Sequence, residues 1–427
     1  MNEEVTKARK QNMKIYPLYR AVSLDLIFYY AIEFLFLTQV KNISGADFVL
    51  STSFYAIFMI ILQLPASIII DKIGTRKCTI LANIFNAMFV ILIMCCQNLG
   101  NLIFAQFLSA LCFSLKDISD KTLIRCSIPD TKKEGEIFSK LEGQGFRDYF
   151  LLHAITSVLS GFLYIVNPYI PMIGALGFTI LSIFISLGFQ DIEEEKVEEV
   201  KIKNREEKKN YWKELIDVIV FIFNSQRLRS LFLHNGIVWG ILCLIGTYRS
   251  SLLVDMGAPE YIITAIAAIV GVASSIGSKK QIQFHNYFKN KSLSAILLLI
   301  VFSILIAGLM GIINISYTIS LTIITICFCV INFSKGVNLV LSSRYLGNFA
   351  SSEILTQIYA VSAISRNLFR AIIGFLGSYL LRITNTANSI IIIGILLLIT
   401  AMGLISYMKV RLGLKPEEYD ENEIYKQ

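Results

Sequence analysis

The chain has 427 residues, of which 55% are hydrophobic and only 16% charged, and its mean hydropathy is +0.63. That balance excludes a soluble globular domain, because apolar runs of about 20 residues match the length at which a helix crosses a bilayer. The formal net charge of +8 calls for no nucleic acid, since the basic residues collect on one side of the predicted spans, where they favour anionic lipid.

Twelve spans are predicted, at 16–40, 47–70, 78–96, 102–122, 149–166, 169–189, 230–251, 260–284, 293–314, 317–340, 364–382 and 387–408. With both ends cytoplasmic, Lys41, Arg249 and Arg382 are the only basic residues on the outer side, 3 of 39. This is a strong positive-inside bias, and it predicts a multi-pass protein of the cell membrane. The basic start (Lys7, Arg9, Lys10, Lys14) leads into a full-length span without a small-residue cleavage site, so an uncleaved first helix is expected. The eight cysteines fall within this apolar frame, contain no C-x-x-C, and read as small packing residues.

Span one holds Arg20, Asp25 and Glu33. Asp25, Tyr29 and Glu33 lie four apart and form one stripe along a helix. A carboxylic acid held away from bulk water can take up and release a proton in the physiological range. Asp25 and Glu33 are therefore the candidates for proton coupling or for a cationic substrate; the structural alternative pairs Asp25 with Arg20. Span four and its inner end carry Lys116, Asp117, Asp120, Lys121 and Arg125. Lys116–Asp120 and Asp117–Lys121 have the spacing of intrahelical pairs, leaving Arg125 unmatched.

After Phe189 the composition turns polar and charged. Residues 191–211 read as a cytoplasmic linker between an amino-terminal six-helix bundle at 1–190 and a carboxy-terminal one at 212–412, with a cytoplasmic tail at 413–427. Tyr211–Phe223 reads as an interfacial amphipathic helix. The second half is cationic: Lys335 lies in span ten, and Arg366 and Arg370 lie in span eleven. Arg366 is expected to snorkel to the interface, and Lys335 and Arg370 to line a cavity. In span seven His234 titrates near 6.5 if unperturbed, which makes it a further candidate, and Gly236-Ile-Val-Trp-Gly240 marks close helix contact.

The halves match at an offset near 213: Gly161-Phe-Leu with Gly374-Phe-Leu, and Gln144 with Gln357. Asp71–Lys77 falls opposite His285–Lys291 at an offset of 214. Spans three, six, nine and twelve carry no charged residue over Cys78–Cys96, Pro171–Phe189, Leu293–Asn314 and Asn388–Met408. Charge facing lipid is costly, so these four are expected to be outer helices around a polar cavity. Duplication of this kind is a feature of secondary transporters.

Ser67-Ile-Ile-Ile-Asp71-Lys72-Ile-Gly74-Thr75-Arg76-Lys77, between spans two and three, resembles the G-x-x-x-D-[RK]-x-G-[RK]-[RK] loop of the major facilitator superfamily. Asp71, Lys72, Gly74 and Arg76 match, while Ser67 and Thr75 depart from the pattern. The resemblance implies an all-α membrane protein with twelve transmembrane helices in two pseudo-symmetric six-helix bundles. It also implies that Asp71 meets the start of helix eleven in a gate, to which Asp117, Asp120 and Arg125 would contribute.

No nucleotide-binding G-x-x-x-x-G-K-[ST], no H-E-x-x-H, no G-x-S-x-G and no metal-spaced Cys/His cluster occurs. Neither an enzyme nor a cofactor is expected, and the energy source is an ion or solute gradient. The implied function is secondary transport of a small organic molecule by a monomer. Proton-coupled efflux comes first, and uptake of a sugar or organic anion, or lipid flipping on the same fold, are alternatives. Span five, around Ser157–Gly161, lacks the glycine-proline motif of many proton/drug antiporters.

Overall fold

In hydrocarbon a backbone N–H or C=O has no water to turn to, so each must be satisfied inside its own helix. The computed structural model describes residues 3–129, 134–192, 220, 224–313, 316–349 and 355–411, and among these no strand occurs. The helices are α1 (Glu3–Ser23), α2 (Tyr29–Leu35, continued by a π-helical turn Phe36–Val40), α3 (Gly45–Ile73), α4 (Thr75–Cys95), α5 (Leu99–Ser127), α6 (Glu134–Val166) and α7 (Tyr169–Leu187). There follow α8 (Gln226–Asp255), α9 (Glu260–Phe288), α10 (Ser292–Ile312), α11 (Tyr317–Phe349), α12 (Leu355–Ile383) and α13 (Thr386–Arg411). The linker beyond residue 192, most of the predicted interfacial helix at 211–223 and the tail lie outside the described residues.

Among the described residues, nine helical stretches are long and apolar enough to cross a membrane, one of which, Glu260–Ile312, holds predicted spans eight and nine. Two predicted spans are absent from that set for visible reasons. Span one is interrupted between Ser23 and Tyr29, and span eleven carries Arg366, Arg370 and Arg382.

Side chains close several helix ends. Ser44 Oγ accepts from Asp47 N at 3.1 Å before α3, and Asn98 Oδ1 accepts from Asn101 N at 2.9 Å before α5. Each satisfies an amide that the first turn leaves without an intrahelical partner. Between α3 and α4 the chain turns at Gly74, whose φ of 96° and ψ of 155° lie in a region that only glycine occupies readily. At the matching turn, between α9 and α10, Lys289 takes φ 48°, and His285 Nδ1 lies 2.8 Å from Ser292 Oγ across the turn.

The chain divides into two units, one of residues 1–207 with 260–268 and the other of residues 208–259 with 269–427. Within the first, α1 packs on α6, α4 on α5, and α4 on α7; within the second, α8 packs on α12, α10 on α11, and α10 on α13. The three pairings are the same when the helices are counted by span: first with fifth, third with fourth, and third with sixth. The charge-free spans thus pair with one another, α4 with α7 and α10 with α13. Being uncharged over Cys78–Cys96 does not make this span apolar throughout, because it buries Thr79, Asn83 and Asn86.

The amino-terminal part of α1 is fastened within the first unit. Asn12 Nδ2 donates to Ser127 Oγ and to the Gln190 carbonyl, both at 3.0 Å, and Asn12 Oδ1 accepts from Gln190 N at 2.8 Å. Gln11 Nε2 adds a bond to the Gly188 carbonyl at 2.7 Å. Small residues allow close approach elsewhere. A Cβ at Gly236 would stand 2.2 Å from Phe369 Cδ2, and one at Gly336 would stand 2.0 Å from the Ser274 carbonyl oxygen. The predicted Gly236–Gly240 face therefore lies against α12, at Phe369 and Ile373.

Candidate functional site

The first predicted span is where the regular fold gives way. α1 stops at Ser23 and α2 begins at Tyr29, so the continuous helix expected over 16–40 is broken at its middle. Asp25 is part of the cause, since its Oδ1 accepts from the adjacent Leu26 N at 3.0 Å, and a short acidic side chain competes with the helix for local backbone donors. Phe28 has φ 71°, a conformation that costs on the order of 1–3 kcal/mol for a residue with a side chain. Its carbonyl accepts from Ser160 Oγ at 3.1 Å, and its ring rests on Gly174 and beside Phe178. Lys116 Nζ donates to the carbonyl of Ser23 at 2.6 Å, placing a cation at a helix carboxy-terminus. Broken helices persist at membrane depth only where neighbours meet the released groups in this way.

Two acids face this break from different directions. Asp25 Oδ2 accepts from Tyr149 Oη of α6 at 3.3 Å, and Glu33 Oε1 accepts from Tyr29 Oη at 3.1 Å. Tyr29 is fully buried and stands edge-on to Tyr30 and Phe89, while Tyr30 lies within electrostatic range of both acids. The expected stripe is thus kept only from Tyr29 to Glu33 on α2, while Asp25 lies in the break outside the helix and turns to Tyr149.

Arg20 does not take Asp25 as its partner. Its guanidinium lies 3.2 Å from Glu142 of α6 and 3.6 Å from Asp120 of α5. Asp120 is buried and accepts further from Tyr19 Oη at 3.0 Å and Thr79 Oγ1 at 3.3 Å. The expected Lys116–Asp120 intrahelical pair is replaced by these bonds, because Lys116 is drawn to Ser23 and to Asn83 Oδ1 at 3.0 Å. Asn83 in turn donates to Tyr19 Oη and accepts from Ser182 of α7. Asp120, expected at a gate, is thus part of a buried polar network joining α1, α4, α5, α6 and α7. Glu142, Tyr19, Asn83 and Tyr149 carried no local sequence signal for these contacts, since their partners lie 64 to 126 positions away.

A cavity of about 210 Å³ opens beside this network, lined by Arg20, Leu24, Tyr55, Met59, Lys116 and Asp117 among others. Asp117 forms the expected exposed pair with Lys121 at 3.0 Å. Arg125, predicted to be unmatched, lies over the Phe138 ring with its Cζ 4.9 Å from the centroid. In the loop, Lys72 is exposed, and Arg76 holds Asp191 and the Leu187 carbonyl, each at 3.2 Å, at the end of α7. The Asp71 side chain lies outside the described part of the structure.

In the second unit Trp239 gathers two cations. Lys335 Nζ is 5.9 Å and Arg366 Cζ 5.4 Å from the indole centroid. Arg366, expected to snorkel to the interface, sits against an aromatic face that attracts it through its quadrupole. Arg370 is half-buried one turn further along α12. His234 is apart from this group: it is fully buried, with Nε2 3.2 Å from the Leu293 carbonyl oxygen. A carbonyl only accepts, so Nε2 carries the proton and His234 ties α8 to the start of α10. Among the described residues no group of His, Cys, Asp and Glu is placed to hold a metal ion.

The sequence matches the family description Major Facilitator Superfamily over residues 21–374. No curated protein sequence matches the chain. Its fold is similar to that of the nucleoside transporter NupG (TM-score 0.72, 10% identity, 96% of this chain and 100% of the other). It is similar also to a bacterial homologue of the lysosomal transporter Spinster in an inward-facing, unoccupied conformation (0.65, 12%, 97% and 99%). A third likeness is to a POT family transporter in complex with 5-aminolevulinic acid (0.60, 13%, 95% and 95%). At these identities the likeness shows fold alone. The matched loop and the family match over most of the chain lead to one conclusion: the chain belongs to the major facilitator superfamily, as a multi-pass secondary transporter and not an enzyme.

Proposed function

We propose that the chain moves a small organic molecule across a cell membrane by alternating access, coupled to proton movement through Asp25. The observation that supports this is the interruption of the first span at Leu24–Phe28, which sets a carboxylate among backbone groups released from the helix and beside the Tyr149 phenol. In secondary transporters discontinuous helices contribute substrate and coupling-ion sites, and an ionisable group at such a place is functional by default. Glu33, with Tyr29, would act as the relay nearer the outer side. Both termini face the cytoplasm in this reading, as the distribution of basic residues favours.

Outward movement against proton entry is the direction we assign, because acids in the first helix serve that coupling in antiporters of the superfamily. Uptake of an organic anion is the second reading, favoured by the cations around Trp239. Proton flux into proteoliposomes, measured against a compound panel for wild type and Asp25→Asn, tests the coupling. A variant that moves protons and substrate together as well as wild type removes Asp25 from the role. Inverted and right-side-out vesicles compared with the active compound separate export from import.

A further inference from the structure

We infer that the cavity beside the break binds a small soluble zwitterion, an amino acid with an apolar side chain, holding its carboxylate at Lys116 and its ammonium group at Asp117. The inference rests on the transporter reading above and names the substrate class. The cavity measures about 210 Å³ and is walled by residues of α1, α3 and α5 and by Leu24 of the break. Pockets for drug-sized ligands run to roughly 300–1,000 Å³, so the occupant has the size of an amino acid rather than of a drug.

The wall carries charge of both signs. Two cations, Arg20 and Lys116, and one carboxylate, Asp117, line the cavity, whereas Glu142 and Asp120, the acids that Arg20 faces, do not. Lys116 is buried, and its ammonium donates to two neutral oxygens, the Ser23 carbonyl at 2.6 Å and Asn83 Oδ1 at 3.0 Å. Asp120, one turn further along α5, balances that charge at longer range while its own bonds go to Tyr19 and Thr79. An ammonium has three donors, and the third is the one assigned to the ligand carboxylate. Asp117 is exposed, and its partner Lys121 lies on the same helix at 3.0 Å. An exposed pair of this kind contributes little, so a ligand ammonium can take the place of Lys121.

A plain anion would lay its body beside Asp117, and a plain amine would meet Arg20 and Lys116. Only a ligand with both charges leaves neither end of the cavity opposed. The remaining wall includes half-buried Leu24, Met59 and Phe113, which suit an apolar side chain. Ser114 Oγ donates to Met59 Sδ at 3.5 Å, joining α5 to α3 at this wall. Leu24 adjoins Asp25 in the chain, so an occupant resting on it acts on the segment that carries the coupling acid.

Binding of leucine, methionine and phenylalanine to the full chain in phosphatidylglycerol nanodiscs is measured by calorimetry. Each is compared with its deaminated and its decarboxylated analogue, which for leucine are isocaproate and isoamylamine. The expected result is saturable binding of at least one amino acid, with both of its analogues weaker by about tenfold or more, as loss of one member of a desolvated charge pair requires. Asp117→Asn is expected to remove the preference for the amino acid over its deaminated analogue, and Asp117→Glu to keep it. Lys116→Gln is expected to weaken the amino acid and spare the decarboxylated analogue, which a misfolded variant would lose as well.

Failure of all three amino acids to bind, equal binding of the deaminated analogue, or an unchanged preference in Asp117→Asn overturns the inference. Phosphatidylethanolamine also joins an anionic group to an ammonium in its headgroup. If adding it to the nanodiscs abolishes amino-acid binding, the occupant is a lipid headgroup and the soluble zwitterion is rejected. Binding is read at equilibrium without a proton gradient, apart from the flux test on Asp25→Asn. Loss of flux in that variant with no amino acid bound defeats the zwitterion site only, and amino-acid binding with normal flux defeats the coupling role only.

Discussion

Arg20 Nε donates to Glu142 Oε2 at 3.2 Å although 122 positions separate them, and both side chains are about nine-tenths buried. The same guanidinium faces Asp120, whose side chain is fully buried, so one cation serves two carboxylates inside the helix bundle.

Removing Arg20 strands those two acids. Replacing it with methionine is expected to destabilise the protein by about 3–5 kcal/mol, the usual cost of breaking a buried pair from one side. The double variant Arg20→Met/Glu142→Gln should recover part of that loss. Thermal unfolding in detergent for the single and double variants measures both. Equal stability of wild type and the single variant would show that the network is not holding α1 to α6.

The break in the first span depends on two donors from other helices. Ser160→Ala leaves the Phe28 carbonyl without its hydroxyl partner and should cost about 1–3 kcal/mol, the penalty for a buried group left unsatisfied. Lys116→Met removes the bond to Ser23 and the one to Asn83 and should cost more. Hydrogen exchange at residues 23–30, compared with wild type, should rise in both variants.

Gly336 and Gly143 make a matched pair of alanine substitutions. At Gly336 the new methyl would collide with the Ser274 backbone, whereas at Gly143 it meets nothing within 4 Å. Gly336→Ala should lower the thermal midpoint. Gly143→Ala should leave it unchanged or raise it, since alanine in a helix interior is favoured over glycine by about 1 kcal/mol. The two midpoints, measured side by side, check the close approach of α9 and α11.

Gly74→Ala tests the turn of the family loop. With φ 96° and ψ 155°, alanine would be strained by about 1–3 kcal/mol without any clash. Unfolding should register that loss while expression and membrane insertion are retained.

The helices themselves were legible in the sequence because length and hydropathy answer directly to bilayer thickness, and Gly74 because a tight turn leaves a glycine at a fixed spacing. Asp117 with Lys121 was legible for a similar reason: both partners lie on one helix, four apart. Arg20, Asp120 and Glu142 were not, because their association is set by how three helices rotate about their axes, and no local period records that. The interruption after Ser23 was hidden as well. Leu24–Phe28 is as apolar as a helix interior apart from Asp25, and the groups that stabilise its irregular backbone, Lys116 and Ser160, come from α5 and α6. The contact of Arg366 with Trp239 was hidden for the same reason, since the ring comes from another helix.

The Asn12 clasp has a mechanical reading. It ties the entrance of the opening helix to Ser127 at the exit of α5 and to Gln190, three residues beyond α7. A pull at Gln190 is therefore felt at the base of α1, the helix that stops at Ser23 just before Asp25.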